Sequence, residues 1–82
     1  MPPSERVIRE RLLQEVAQAA AVPVAQVDSR EPFASYGLSS LEAVYLVGQL
    51  EDWLGMVLPA TLLWDHPTID ALASHLAAEV AR

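Results

Sequence analysis

Two adjacent serines, Ser39 and Ser40, sit inside the run GLSSLEAVYLVGQLEDWL at residues 37–54. A serine hydroxyl becomes a nucleophile only when a base is held beside it. The run contains no such base, and the chain has two histidines, His66 and His75. A hydrolase would pair Ser40 with one of them and a carboxylate. The sequence offers no G-x-S-x-G elbow and no strand to carry one. The other chemistry open to a serine is to accept a group and hold it. Gly37 suits the last bend before a helix, because it tolerates backbone angles closed to other residues. Ser39 and Glu42 have the spacing of a capping box, in which each side chain satisfies a backbone N–H at the helix start. Ser40 then becomes the first helical residue, pointing outward at the positive end of the helix dipole. An anion placed there is stabilised by the dipole and the free N–H groups. Ser40 is therefore suited to carrying a phosphate ester, while the Ser39 oxygen is occupied as the cap.

Little else in the chain supports chemistry. There is no cysteine, which excludes disulfides, thiolate metal sites and cysteine nucleophiles. Two isolated histidines do not make a metal site. Glu51 and Asp52 adjoin in sequence but not on one helical face. No glycine-rich phosphate loop is present. Trp53 and Trp64 read as core or rim packing. By its own side chains the protein is not expected to be an enzyme.

The elements that position Ser40 follow from hydrophobic spacing. Ser4 caps a first helix over about residues 4–20, with Ile8, Leu12, Val16 and Ala19 on one face and Pro23 enforcing its end. Residues 22–38 form a long connection with irregularly spaced apolar residues, and Val27 and Phe33 are expected to pin it to the core. A connection of this length is often functional. The second helix spans about 40–54. Ala43, Leu46, Val47, Leu50 and Leu54 form its buried stripe, and Gly55 caps its end. Leu41, Val44 and Gly48 make a second apolar line, adjoined by Tyr45 and rimmed by Glu42, Glu51 and Asp52. That line either packs on the loop or a neighbouring helix, or docks a partner. Residues 60–65, ATLLWD, are enough for one or two turns, closed by His66 and Pro67. Thr68 caps a last helix to about residue 81, with Ile69, Leu72, Ala73, Leu76 and Val80 on its buried side. The predicted fold is all-α: a small four-helix bundle of three longer helices and one short one, with a long loop between the first two.

Bulk properties agree with one domain over residues 1–82. The hydrophobic fraction of 52% fits a folded chain. No stretch approaches the apolar length of a membrane span, and the N-terminus lacks a signal-peptide core, so a cytoplasmic protein without a membrane partner is expected. The net charge of −6 argues against nucleic acid, whose phosphates need Lys and Arg. Between Arg30 and Arg82 there are seven acids and no base. That one-signed surface steers basic partners, or serves only solubility. The small core and acidic surface point to a monomer.

The run GLSSLEAV, LP near residue 58, and DHPT at 65–68 resemble an acyl carrier protein, specifically the carrier domains of modular polyketide synthases. The likeness spans most of the chain. It implies that Ser40 receives a 4′-phosphopantetheine arm from coenzyme A through a phosphopantetheinyl transferase. The arm's thiol would then hold acyl intermediates as thioesters and carry them among ketosynthase, acyltransferase and tailoring enzymes. The thiol would thus belong to the prosthetic group of a cysteine-free chain. The resemblance makes the second helix the main recognition element. It assigns docking to Leu41, Val44 and Gly48 with Tyr45, and the acidic rim to Glu42, Glu51 and Asp52. Tyr45 stands where many relatives have an acid, and Gly48 where many have a bulkier apolar residue. Residue 39 departs from the family pattern, which usually has Asp there. A peptidyl carrier domain of a nonribosomal peptide synthetase is the nearest alternative, although such domains more often show GGxS before the serine. An unmodified helical interaction module, binding a partner helix through the Leu41 strip, is the other.

Overall fold

A computed structural model describes residues 1–82. The longer helices are α1 (Glu5–Ala20), α2 (Ser40–Leu54) and α4 (Ile69–Val80), and the short one is α3 (Leu62–Asp65). There is no strand, only an isolated bridge between Pro32 and Thr68. No helix is long and apolar enough to cross a membrane.

Each long helix starts at a side-chain cap. The Ser4, Ser39 and Thr68 hydroxyls accept from the backbone N–H groups of Val7, Glu42 and Ala71 respectively. These bonds satisfy donors that the helix itself leaves free. The ends are formed differently. Gly55 closes α2 in the left-handed region at φ 67°, as its freedom from a Cβ permits. Ala21 closes α1 in that same region at φ 57°, and its N–H reaches Ala17 and Gln18. The first helix therefore stops at a left-handed alanine, two residues before the proline expected to enforce the stop.

The core is continuous. Ile8, Leu12 and Val16 of α1 meet Ile69, Leu72 and Leu76 of α4, all fully buried. The α2 stripe closes the third side through Ala43, Leu46, Val47 and Leu50. Leu54 and Val80, the last members of their predicted stripes, are only partly buried, at the ends of the bundle. Arg9 joins α1 to α4 by an ion pair with Asp70 at 3.2 Å.

The connection between α1 and α2 is not featureless. It holds two 3-10 turns, Val24–Gln26 and Phe33–Tyr36. Val27 and Phe33 are buried, as expected. A third anchor carries no mark in the spacing of the sequence. The Tyr36 hydroxyl accepts from the Asp28 N–H at 2.6 Å and donates to the Asp28 carbonyl at 3.0 Å. The Phe33 N–H also donates to the Pro67 carbonyl at 2.8 Å, and the Asp70 N–H to the Ser29 carbonyl at 3.0 Å. The loop is thereby tied to the α3–α4 junction, which fixes the backbone that delivers Gly37 to the start of α2.

Candidate functional site: the start of the second helix

Gly37 takes φ 69° after the Phe33–Tyr36 turn, and its N–H donates to the Ala34 carbonyl. Leu38 follows, half-buried against the core. Ser39 and Glu42 make the full capping box: Ser39 Oγ accepts from the Glu42 N–H at 3.1 Å, and Glu42 Oε1 accepts from the Ser39 N–H at 3.0 Å. That donated N–H holds the Glu42 carboxyl below the usual carboxylate range, and the Ser39 hydroxyl adds to the effect. The cap rests on Ser39, so Ser40 begins the helix outside it, with its side chain exposed.

Other groups with chemical potential pair with one another. His66 and His75 stack on each other, ring centroids 3.9 Å apart and planes 17° from parallel. Each imidazole is thus packed against the other. Periodicity could not reveal this pairing, because it joins the end of α3 to the middle of α4. Trp53 is partly buried on the core, and the Arg11 guanidinium lies 4.9 Å from its ring centre.

The second apolar line is exposed. Leu41, Val44 and Tyr45 are open to solvent, and Gly48 is half-buried with open space where a Cβ would stand. A groove of about 640 Å³ runs between α1 and α2 beside Leu41 and Tyr45, with Glu15 and Gln49 on its walls. Asp52 is exposed. Glu51 is not a free rim acid: its Oε2 accepts from the Leu58 N–H at 2.8 Å, fastening the link from α2 to α3. Of the core and rim positions expected for the tryptophans, Trp64 takes the rim, being 60% exposed. It lies on the rim of a smaller cleft of about 180 Å³ formed by the loop, the first turn of α2, and α3.

This geometry is an exposed serine, outside the cap, on a helix start held by a clamped loop. Residues 10–76 match the family model described as a phosphopantetheine attachment site. The chain belongs to the phosphopantetheine-attachment family of carrier domains. It is 42% identical over 66 residues, 80% of its length, to one subunit of the phenolphthiocerol/phthiocerol polyketide synthase of Mycobacterium tuberculosis. It spans only about 4% of that relative's length. Two solved structures share its fold and more than a third of its sequence. One is a free-standing peptidyl carrier protein from Acinetobacter baumannii, with a TM-score of 0.90 at 38% identity, covering 94% of this chain and 96% of that one. The other is Asl1650 of Anabaena, an acyl carrier protein with a variant phosphopantetheinylation-site sequence. It gives a TM-score of 0.87 at 36% identity, with coverage of 98% and 92%. The all-helical carrier fold and the family's 4′-phosphopantetheine cofactor follow for this domain. When bound, that cofactor supplies a terminal thiol on which carriers tether acyl groups as thioesters.

Proposed function

We propose that Ser40 is the attachment point of the arm and that residues 1–82 act as one polyketide-type acyl carrier domain. The observation that carries this is the division of labour between the two serines: Ser39 caps α2, and Ser40 is left exposed at its first position. A phosphodiester on Ser40 Oγ lies at the positive end of the α2 dipole. The nearest acid, Glu42, is already engaged with the Ser39 N–H. The residues present therefore fit a phosphate-linked group.

In this reading a phosphopantetheinyl transferase transfers the arm from coenzyme A to Ser40. The chain contributes positioning only, and bond making and breaking belong to partner enzymes: a ketosynthase, an acyltransferase and tailoring enzymes. Leu41, Val44, Tyr45 and Gly48 form the docking face, with Asp52 as its free acid. A cytoplasmic setting, where coenzyme A is available, fits this role. The similarity to a polyketide synthase supports the acyl reading over the peptidyl one. The match to a free-standing peptidyl carrier protein keeps the peptidyl alternative open to test.

The deciding experiment is intact mass before and after incubation with coenzyme A, magnesium and a broad-specificity transferase. One added phosphopantetheine in wild type and Ser39→Ala, absent in Ser40→Ala, is expected. Loading of Ser40→Ala would move the site to Ser39. No loading of folded wild type would leave a helical interaction module as the better reading. Acceptance of aminoacyl groups from adenylation enzymes, with refusal of malonyl-type groups, would favour a peptidyl carrier.

A further inference from the structure

We infer that the Tyr36 hydroxyl is a positioning group for the loading of Ser40. By closing the loop on Asp28 it fixes the backbone that aims the Ser40 hydroxyl at its acceptor atom. This deepens the proposed function and rests on Ser40 being the attachment point.

One phenol joins residue 36 to residue 28. The Tyr36 hydroxyl accepts from the Asp28 N–H and donates to the Asp28 carbonyl, and both bonds are part-buried. The Asp28 N–H has no other partner. The remaining side-chain bonds of the loop, Asp28 with Arg30 and Ser35 with Glu31, are exposed. A hydrogen bond shielded from water is stronger than one that water contests. The Tyr36 ring also packs on the core.

The clamp stands directly before the serine's own segment. Gly37 follows Tyr36 at φ 69°, and beyond its chain neighbours nothing lies within 4 Å of where its Cβ would stand. A glycine without packing is a yielding link. Leu38 and Ser39 then lead to Ser40. Downstream, the Ser39–Glu42 box sets the helix start. Upstream, the body of the loop is tied to the α3–α4 junction through the backbones of Ser29 and Phe33. Tyr36 carries that fixation to the edge of the glycine.

Loading depends on such placement. The Ser40 oxygen bonds to the phosphorus on the pantetheine side of coenzyme A. The pyrophosphate bridge breaks, adenosine 3′,5′-bisphosphate leaves, and the hydroxyl proton passes to a base of the transferase. A displacement of about 1 Å at a reacting group costs up to roughly a hundredfold in rate. A loosened approach to α2 lowers the fraction of bound complexes that are aligned. It therefore lowers kcat and leaves KM nearly unchanged.

The test compares Tyr36→Phe, which keeps the ring and removes the hydroxyl, with Leu76→Val, which weakens the core and leaves the clamp in place. Urea midpoints give the stability of each. Hydrogen exchange reports the Asp28 amide, and loading kinetics are followed by intact mass with coenzyme A, magnesium and a broad-specificity transferase. In Tyr36→Phe the Asp28 amide is expected to exchange faster, and kcat for loading to fall roughly tenfold, with KM for coenzyme A and for the carrier within about twofold of wild type. Leu76→Val should load as wild type does. Wild-type kcat in a Tyr36→Phe protein whose Asp28 amide already exchanges faster overturns the inference. So does an equal loss of kcat in Leu76→Val, or loss of the fold in Tyr36→Phe, because either makes Tyr36 a structural residue only. An Asp28 amide unprotected in wild type overturns it without any variant. All four results leave the carrier function standing. Failure of folded wild type to load overturns the attachment reading, and this inference with it.

Discussion

The Ser39 hydroxyl and the Glu42 carboxylate hold each other's backbone N–H groups, at 3.1 and 3.0 Å. This reciprocal pair makes Ser39 a structural residue beside the exposed Ser40, the proposed attachment point. Ser39→Ala should cost about 1 kcal/mol, read as a lower urea midpoint, with loading at Ser40 retained. Ser39→Asp, which restores the family's usual residue, should keep the stability because Asp is a comparable cap. Loss of loading in Ser39→Ala at full folding would show that Ser39 does more than cap.

The same pair sets a dependence on pH. Donation from the Ser39 N–H lowers the Glu42 pKa in the folded state. A carboxyl with a depressed folded pKa contributes its stability above the unfolded value and loses it as pH falls through the folded one. The contribution is therefore complete near neutrality and fades below about pH 4. Glu42→Gln should melt lower than wild type at pH 6, and the gap should close as the melts are repeated toward pH 3. A gap that stays constant with pH would show that the Glu42 charge is not coupled to folding.

The helices were legible because their ends are marked by local chemistry. Ser4, the Ser39–Glu42 pair, Gly55 and Thr68 each act within one turn, so their roles follow from spacing. The stripe on α2 follows from period 3.6 and is buried where expected. What could not be read involves contacts that reach beyond one helical turn and depend on how the loop and the helices fold back. A four-residue helix has too few turns for its spacing to define a face, so the exposure of Trp64 had no signal. The Tyr36–Asp28 clamp and the His66–His75 stack bridge segments whose approach depends on the packed bundle. The exposed serine itself was legible, because capping chemistry assigns Ser39 and leaves Ser40.

Glu51 offers a second separation of structural from functional acids. Its carboxylate accepts from the part-buried Leu58 N–H. Glu51→Ala leaves that donor without a partner, and should cost about 1–3 kcal/mol. Glu51→Gln retains an acceptor and should cost less. Hydrogen exchange at the Leu58 amide should accelerate in the alanine variant ahead of amides in α1 and α4. Unchanged exchange at Leu58 would place this bond outside the native clamp, and return Glu51 to the acidic rim.

Gly48 and Tyr45 test the outer face of α2 directly. A Cβ at Gly48 meets nothing within 4 Å, so substitution there adds surface without disturbing the core. Removing glycine from a helix interior also favours folding, by about 0.8–1 kcal/mol for Gly48→Ala. Gly48→Met fills the space between Val44 and Asp52 with a flexible apolar side chain. Tyr45→Glu places a charge on an otherwise apolar strip. Neither residue takes part in the capping box, so both variants should load at the wild-type rate. Turnover with the native ketosynthase or acyltransferase should change in both, through KM more than kcat, because the altered contacts concern docking. If both variants load normally and their partner kinetics match wild type, the exposed line on α2 is not the recognition face. The groove between α1 and α2 would then be the next surface to test, with Gln18 and Gln49 as the residues to change.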